Sequence, residues 1–232
     1  MFLFSGGARR HDRQDPILDH RTRIKFCGLT REQDVALACA LGVDAVGFVC
    51  HPGSPRYVDP ARLPDLAGAV APFVMPVLLF VDAAEARIRQ ALERVPGALL
   101  QFHGHEDEAF CRRFARPYLR AVSMAQDGVL LHSEAVFHSA AGLLADAAGP
   151  GSGGAGETFD WGRVPAPDRR SLPLILAGGL HAENVAEAIR AVRPYAVDVS
   201  SGIEESRGIK SAVRMRNFVA AVRAADARIE HS

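Results

Sequence analysis

Eight short runs of apolar and β-branched residues recur along this chain, separated by longer stretches whose apolar residues fall three and four apart. The runs are RIKFC (23–27), DAVGFV (44–49), VMPVLLFV (74–81), ALLQF (98–102), YLRAVSM (118–124), AGLLAD (141–146), PLILAG (173–178) and AVDVS (196–200). A strand that must reach its parallel neighbour needs a long crossover, usually a helix. Eight strand–helix units therefore predict an α/β fold, a single closed (β/α)8 barrel. The 232 residues suffice for one such barrel. Residues 1–22 are polar and aperiodic and read as an N-terminal extension, 23–226 as the barrel and 227–232 as a C-terminal tail.

Helical spacing is expected near 31–41, 60–70, 83–94, 106–115, 181–192 and 210–225, and is weaker in the fifth and sixth units. Three helix starts carry a chemical signal. Thr30 with Gln33 reads as a capping box, Asp59 stands before Pro60 at a first helical position, and Asp82 precedes Glu85 by three. These signals set the strand-to-helix direction. GPGSGGAGET (149–158) is too rich in glycine for either element and is expected to form a loop that acts as a lid.

Charge narrows the partners. Lys plus Arg and Asp plus Glu both total 27, so no broad basic field draws nucleic acid or an anionic membrane, and an anion site must be local. The four cysteines, Cys27, Cys39, Cys50 and Cys111, form no CxxC pair; zinc and a disulfide framework are not expected, and a reducing cytoplasm fits. The opening segment lacks the apolar core of a signal peptide, and no later run approaches the ~20 apolar residues of a membrane helix. The outer helices show no long apolar stripe, which favours a monomer and leaves a homodimer open.

In a barrel of this kind the loops after the strands share one face, where the chemistry sits. In KFCGLT (25–30), Lys25 and Cys27 alternate onto one side, Cys27 at the strand end. Lys25 could activate Cys27 as a thiolate base; a buried small hydrophobe is the other reading. In GFVCHPGSPRYV (47–58), Arg56 could fork onto a carboxylate or stay a solvated loop residue. LQFHGHE (100–106) turns Gln101 and His103 the same way, His103 to a sugar hydroxyl or to a structural role. Asp146 ends the sixth run, as a proton-holding general acid or a loop cap. LAGGL (176–180) and VDVSSGIE (197–204) follow the last two strands, where Gly178, Gly179, Ser200, Ser201 and Gly202 suit a phosphate.

Taken in order, KFCGLT, GFVCHPGSPRYV, LQFHGHE, the glycine loop with FDW, LAGGLHAENV and VDVSSGIE resemble the signatures of the phosphoribosylanthranilate isomerases over about residues 23–225. The resemblance implies an Amadori rearrangement of N-(5-phosphoribosyl)anthranilate in tryptophan biosynthesis, with no metal and no organic cofactor. It implies Cys27 as general base and Asp146 as general acid. It further implies Arg56 on the anthranilate carboxylate, Asp198 near the substrate's amino side, and the two small-residue loops on the phosphate.

Two departures stand out. Cys50 replaces the family's usual phenylalanine after GFV, and GGAG (153–156) replaces GGTG, with Ala155 lacking the hydroxyl that could order a closed lid. Other phosphosugar isomerase or epimerase barrels share the phosphate loops. They would call for paired aspartates, one near the first strand end where Cys27 stands, or for a His and Asp metal cluster. A barrel that only binds phosphate is the non-enzymatic alternative.

Overall fold

The computed structural model describes residues 21–125, 128–147 and 158–229. Eight parallel strands close in sequence order into one barrel. They are β1 (Arg23–Cys27), β2 (Ala45–Val49), β3 (Met75–Phe80), β4 (Leu99–Phe102), β5 (Tyr118–Ser123), β6 (Gly142–Asp146), β7 (Leu174–Leu176) and β8 (Ala196–Val199). Each lies inside its sequence run. The helices between them are α1 (Glu32–Ala40), α2 (Leu63–Gly68), α3 (Glu85–Arg94), α4 (Glu108–Arg112), α5 (Val129–Val136), α6 (Val185–Val192) and α7 (Ala212–Ile229). Among the described residues, the segment after β6 holds only two 3-10 turns, Trp161–Arg163 and Pro167–Arg169. An added hairpin, β9 (Glu204–Ser206) with β10 (Ile209–Lys210), sits between β8 and α7.

Period-two alternation divides the strand side chains between two cores. Outward-facing Ile24, Phe26, Phe48, Phe80 and Phe102 pack under the helices in one large apolar cluster. Inside the barrel, Leu119, Ala121, Leu144, Ile175, Ala177 and Ala196 form one cluster, and Cys27, Val49 and Leu79 another. The helices answer the outer core with their own period. In α7, Met215, Phe218, Val219, Val222 and Ala225 are buried at three and four spacing, and Phe218 meets Phe26 edge-on at 6.0 Å. Each such ring removed from water contributes on the order of 1.5–3 kcal/mol. The barrel closes at the β1–β8 pair, whose register sets Lys25 beside Asp198.

Two of the three helix starts form differently from the expectation. Thr30 does not cap α1, because its hydroxyl donates instead to the Gly208 carbonyl at 2.6 Å, tying the loop after β1 to the hairpin. Asp82 does not cap α3; its carboxylate accepts from the His105 backbone N–H at 2.6 Å. Asp59 does cap, accepting from Ala61 N at 2.8 Å, over a 3-10 turn that leads into α2.

At the termini, Thr22 binds Asp226 through its N–H and its hydroxyl at 2.8 and 2.6 Å, and α7 runs on past residue 226 to Ile229. Residues 1–20 of the expected extension, 230–232 of the expected tail, and 148–157, with GGAG and Ala155, lie outside the described residues. Among the described residues, no helix is long and apolar enough to cross a membrane.

Candidate active site

The carboxyl ends of the strands surround a cavity of about 730 Å³ that opens to solvent. Cys27, Gln101, His103, Asp146, Gly178, Gly179, Asp198, Ser200 and Ser201 line it, along with apolar Val49, Leu79 and Val81. Seven strands or their following loops thus bring residues separated by up to 174 positions to one opening. Arg56 and Gly202 are not in the lining. Arg56 is buried beside it, and Gly202 lies behind Ser201 with its backbone against the Leu180 carbonyl, holding the last two loops together.

At the base of the cavity, Lys25 Nζ donates to both Asp198 oxygens at 2.9 Å. Both side chains are buried, so the ion pair forms where neither charge is well hydrated and each depends on the other. Cys27 stands one alternation above Lys25, and its partner in register is Gly47. Burial pushes the Cys27 thiol above its ordinary range, and the Lys25 charge pulls it back down without prevailing. Lys25 therefore moderates the thiol rather than converting it outright, as its ammonium is shared with Asp198.

Across the opening, His103 Nε2 lies 3.3 Å from Asp146 Oδ2, and its Nδ1 lies 3.3 Å from Gln101 Nε2. Gln101 Oε1, fully buried, makes no hydrogen bond among the described residues. A polar oxygen left without a donor at the floor of a cavity suits a ligand hydroxyl or a water. The turn after β7 has Gly178 at φ +82° and Gly179 at φ +62°, a left-handed pair that L side chains rarely adopt. A Cβ at Gly178 would stand 2.5 Å from Ala147 N and 3.0 Å from Asp146 Oδ1, so the turn packs against the end of β6, and it lines the same cavity as Ser200 and Ser201 on the neighbouring loop.

Arg56 does not project freely into the opening. Its Nε and Nη2 fork onto Glu204 at 2.7 and 2.9 Å, and its stem lies over Gly28, the residue after Cys27. Gly28 has φ +71°, and a Cβ there would stand 2.5 Å from Arg56 Cδ and 3.0 Å from Ser200 Oγ. Lys210, opposite Glu204 in the β9–β10 register, donates to Glu204 Oε1 and to the Ser200 carbonyl, each at 2.9 Å. Burial opposes the charge on Glu204, but the Arg56 hydrogen bonds and the Lys210 charge outweigh it and hold the carboxylate below its usual range.

Sequence reasoning gave no role to Glu204, although it ends a quoted motif, and did not single out Lys210. Cys50 is buried in the outer core rather than in the cavity lining, because alternation gives the inward position to Val49. Its thiol is pushed up to about 12 by burial. Among the described residues, no three His, Cys, Asp or Glu side chains gather as a metal site.

Known proteins resemble this chain over most of its length. The family model described as N-(5'phosphoribosyl)anthranilate (PRA) isomerase matches residues 24–221. The N-(5'-phosphoribosyl)anthranilate isomerase of Dechloromonas aromatica is 52% identical over 209 residues, covering 90% of this chain and all of the relative. The crystal structure of phosphoribosyl anthranilate isomerase from Thermotoga maritima superposes with a TM-score of 0.80 at 35% identity, covering 88% of this chain and 99% of that one. A structure of such an enzyme in complex with reduced 1-(o-carboxyphenylamino)-1-deoxyribulose 5-phosphate gives 0.77 at 32% identity, with the same coverage.

Proposed function

From the premise that the chain belongs to the N-(5'-phosphoribosyl)anthranilate isomerase family, we propose that Cys27 and Asp146 divide the rearrangement between them as base and acid. The observation that carries this reading is their placement on one cavity, at the ends of β1 and β6, beside the glycine and serine loops after β7 and β8.

The reaction converts an aminoaldose to an aminoketose within the tryptophan pathway. Asp146 gives its proton to the ring oxygen while the nitrogen lone pair forms the C1=N bond, so the C1–O bond breaks and the ring opens. The resulting protonated Schiff base acidifies C2. Cys27, as thiolate, removes the C2 proton; the electrons move into C1=C2 and onto nitrogen, giving an enolamine. Loss of the enol proton from oxygen and gain of one at C1 yield the ketone, and exchange with solvent restores both side chains.

In this reading Gly178, Gly179, Ser200, Ser201 and Gly202 hold the phosphate, His103 a sugar hydroxyl, Asp198 the amino side and Arg56 the anthranilate carboxylate. Because burial favours the thiol of Cys27, the reaction draws on a minor thiolate fraction, and the Lys25 charge enlarges it. All four cysteines are free, in keeping with a cytoplasmic enzyme.

For the oligomer we propose a homodimer over a monomer. Phe73 is fully exposed at φ +69°, two residues before half-exposed Met75, which lines the strand-start cavity together with Leu99, Leu119 and Ile175. A protruding ring and an apolar hollow on one face can satisfy each other across a two-fold axis.

The test of the roles follows the fluorescence of substrate formed in situ. Cys27→Ala and Asp146→Asn should each lower turnover by ~10² to 10⁴ with the fold intact. Turnover near that of the unaltered enzyme in either variant removes that residue from its role.

A further inference from the structure

Arg56 presents a difficulty for the reading above, on which this inference rests. A guanidinium already forked onto a buried carboxylate is close to neutral as a unit, and a neutral pair has little attraction for a second carboxylate. The surroundings of Glu204 resolve this. Lys210 Nζ, fully buried, faces three acceptors: Glu204 Oε1 at 2.9 Å, the Ser200 carbonyl at 2.9 Å and Ser200 Oγ at 3.4 Å. Three acceptors match the three N–H bonds of an ammonium. Burial pulls the Lys210 ammonium below its usual range and the Glu204 carboxylate opposes that pull; with the ammonium protonated to fill those three acceptors, Arg56, Glu204 and Lys210 together retain one positive charge, beside an opening whose proposed ligand carries a carboxylate.

The fork geometry complements the charge. Glu204 engages the edge of Arg56 formed by Nε and Nη2, which leaves Nη1 and the second N–H of Nη2 as a parallel pair of donors. Glu204 is itself fixed, because the β9–β10 register sets it opposite Lys210, Arg214 donates to its backbone carbonyl, and Thr30 and Arg31 tie the hairpin to the loop after β1. The Arg56 stem is confined from below by Gly28.

We propose that Glu204 and Lys210 are positioning residues that make Arg56 selective for the substrate's carboxylate. Glu204 clamps the inner edge of the guanidinium so that its outer edge is presented, and Lys210 supplies the charge that Glu204 would otherwise cancel. Neither residue needs to touch the substrate.

The experiment compares kcat/KM for N-(5-phosphoribosyl)anthranilate and for N-(5-phosphoribosyl)aniline, which lacks the carboxylate, each formed in situ from ribose 5-phosphate and the arylamine. The quantity read is the preference, the ratio of the two constants, which a merely structural role does not move. Arg56→Ala tests the carboxylate reading itself. Glu204→Asp keeps every charge but draws the clamp back by one methylene, and Lys210→Met removes the extra charge while keeping the stem.

Each of the three variants should reduce the preference about tenfold or more, the scale of one charge-assisted hydrogen bond. Lys210→Arg should restore it. A preference unchanged in Arg56→Ala overturns the carboxylate reading and this inference with it. A preference lost in Arg56→Ala but kept in Glu204→Asp and Lys210→Met, with both substrates slowed alike, overturns the positioning role and leaves the Arg56 reading in place. Should Lys210→Met fail to fold, Glu204→Asp carries the test alone, with the same two readings.

Discussion

Replacing Lys25 with methionine isolates what the ion pair beneath the cavity does for the fold and for Cys27. Methionine nearly matches the lysine stem in volume, so the change is close to a pure removal of charge. Asp198 would then be a buried carboxylate without the two 2.9 Å hydrogen bonds it now accepts. Breaking a buried pair from one side costs about 3–5 kcal/mol, a large part of the ~5–15 kcal/mol that holds a domain folded. At roughly 2–4 °C per kcal/mol for a chain of this size, Tm should fall by about 6–20 °C. Lys25→Met with Asp198→Asn removes both charges and should recover most of the loss, so urea or calorimetric unfolding of the four-member cycle should give a coupling of about 2 kcal/mol or more. In folded Lys25→Met, the thiol of Cys27 loses the charge that lowers it, and the pH midpoint of its alkylation should rise. A loss below ~1 kcal/mol, or additive single variants, would refute the claim that each charge depends on the other.

Gly28→Ala places a methyl group against Arg56 and Ser200 at a φ that L residues disfavour by about 1–2 kcal/mol, and KM should rise more than stability falls; an unchanged KM speaks against the close packing of Arg56 on that turn. Cys50 and Cys111 are pushed up to about 12 by burial, whereas in the unfolded chain they ionise near 9.0. A raised thiol adds stability that is fully present below the unfolded value and is lost as pH climbs toward the folded one. The unfolding free energy from denaturant titrations should therefore drop between about pH 9 and 12, by up to ~1.4 kcal/mol per pH unit for each thiol, and Cys50→Ala with Cys111→Ala should flatten that slope. Phe73→Glu should convert the proposed dimer to monomer in sedimentation at micromolar concentration, and a sedimentation coefficient identical to that of the unaltered chain contradicts the strand-start interface.

The barrel was legible because its physics is local and repeated. RIKFC, DAVGFV and the six other runs each carry enough apolar residues to read as buried strands, and none needed knowledge of its neighbours. Where a distant partner competes for a side chain, local rules failed. The pattern at Thr30 and Gln33 is a sound capping box, yet Gly208, 178 residues away, takes the hydroxyl. The pattern at Asp82 and Glu85 likewise yields to His105 on the next loop. Neither competitor leaves any mark near the cap it displaces.

The same distinction separates the parts of the site. Cys27, Asp146, Gly178 and Ser200 could be placed at the opening because strand ends and the period of two decide which way each faces. Arg56 lies in a loop, where no period applies, and reading it as a side chain presented directly to the opening omitted Glu204, 148 positions onward. Lys210 is more distant from any signal, since its pairing depends on a short hairpin appended after the eighth strand, and a two-residue strand such as Ile209–Lys210 has no pattern to detect. What these two residues contribute is a charge sum and the orientation of a fork. Both are properties of three side chains brought together by the closure of the barrel, so no segment taken alone could contain them.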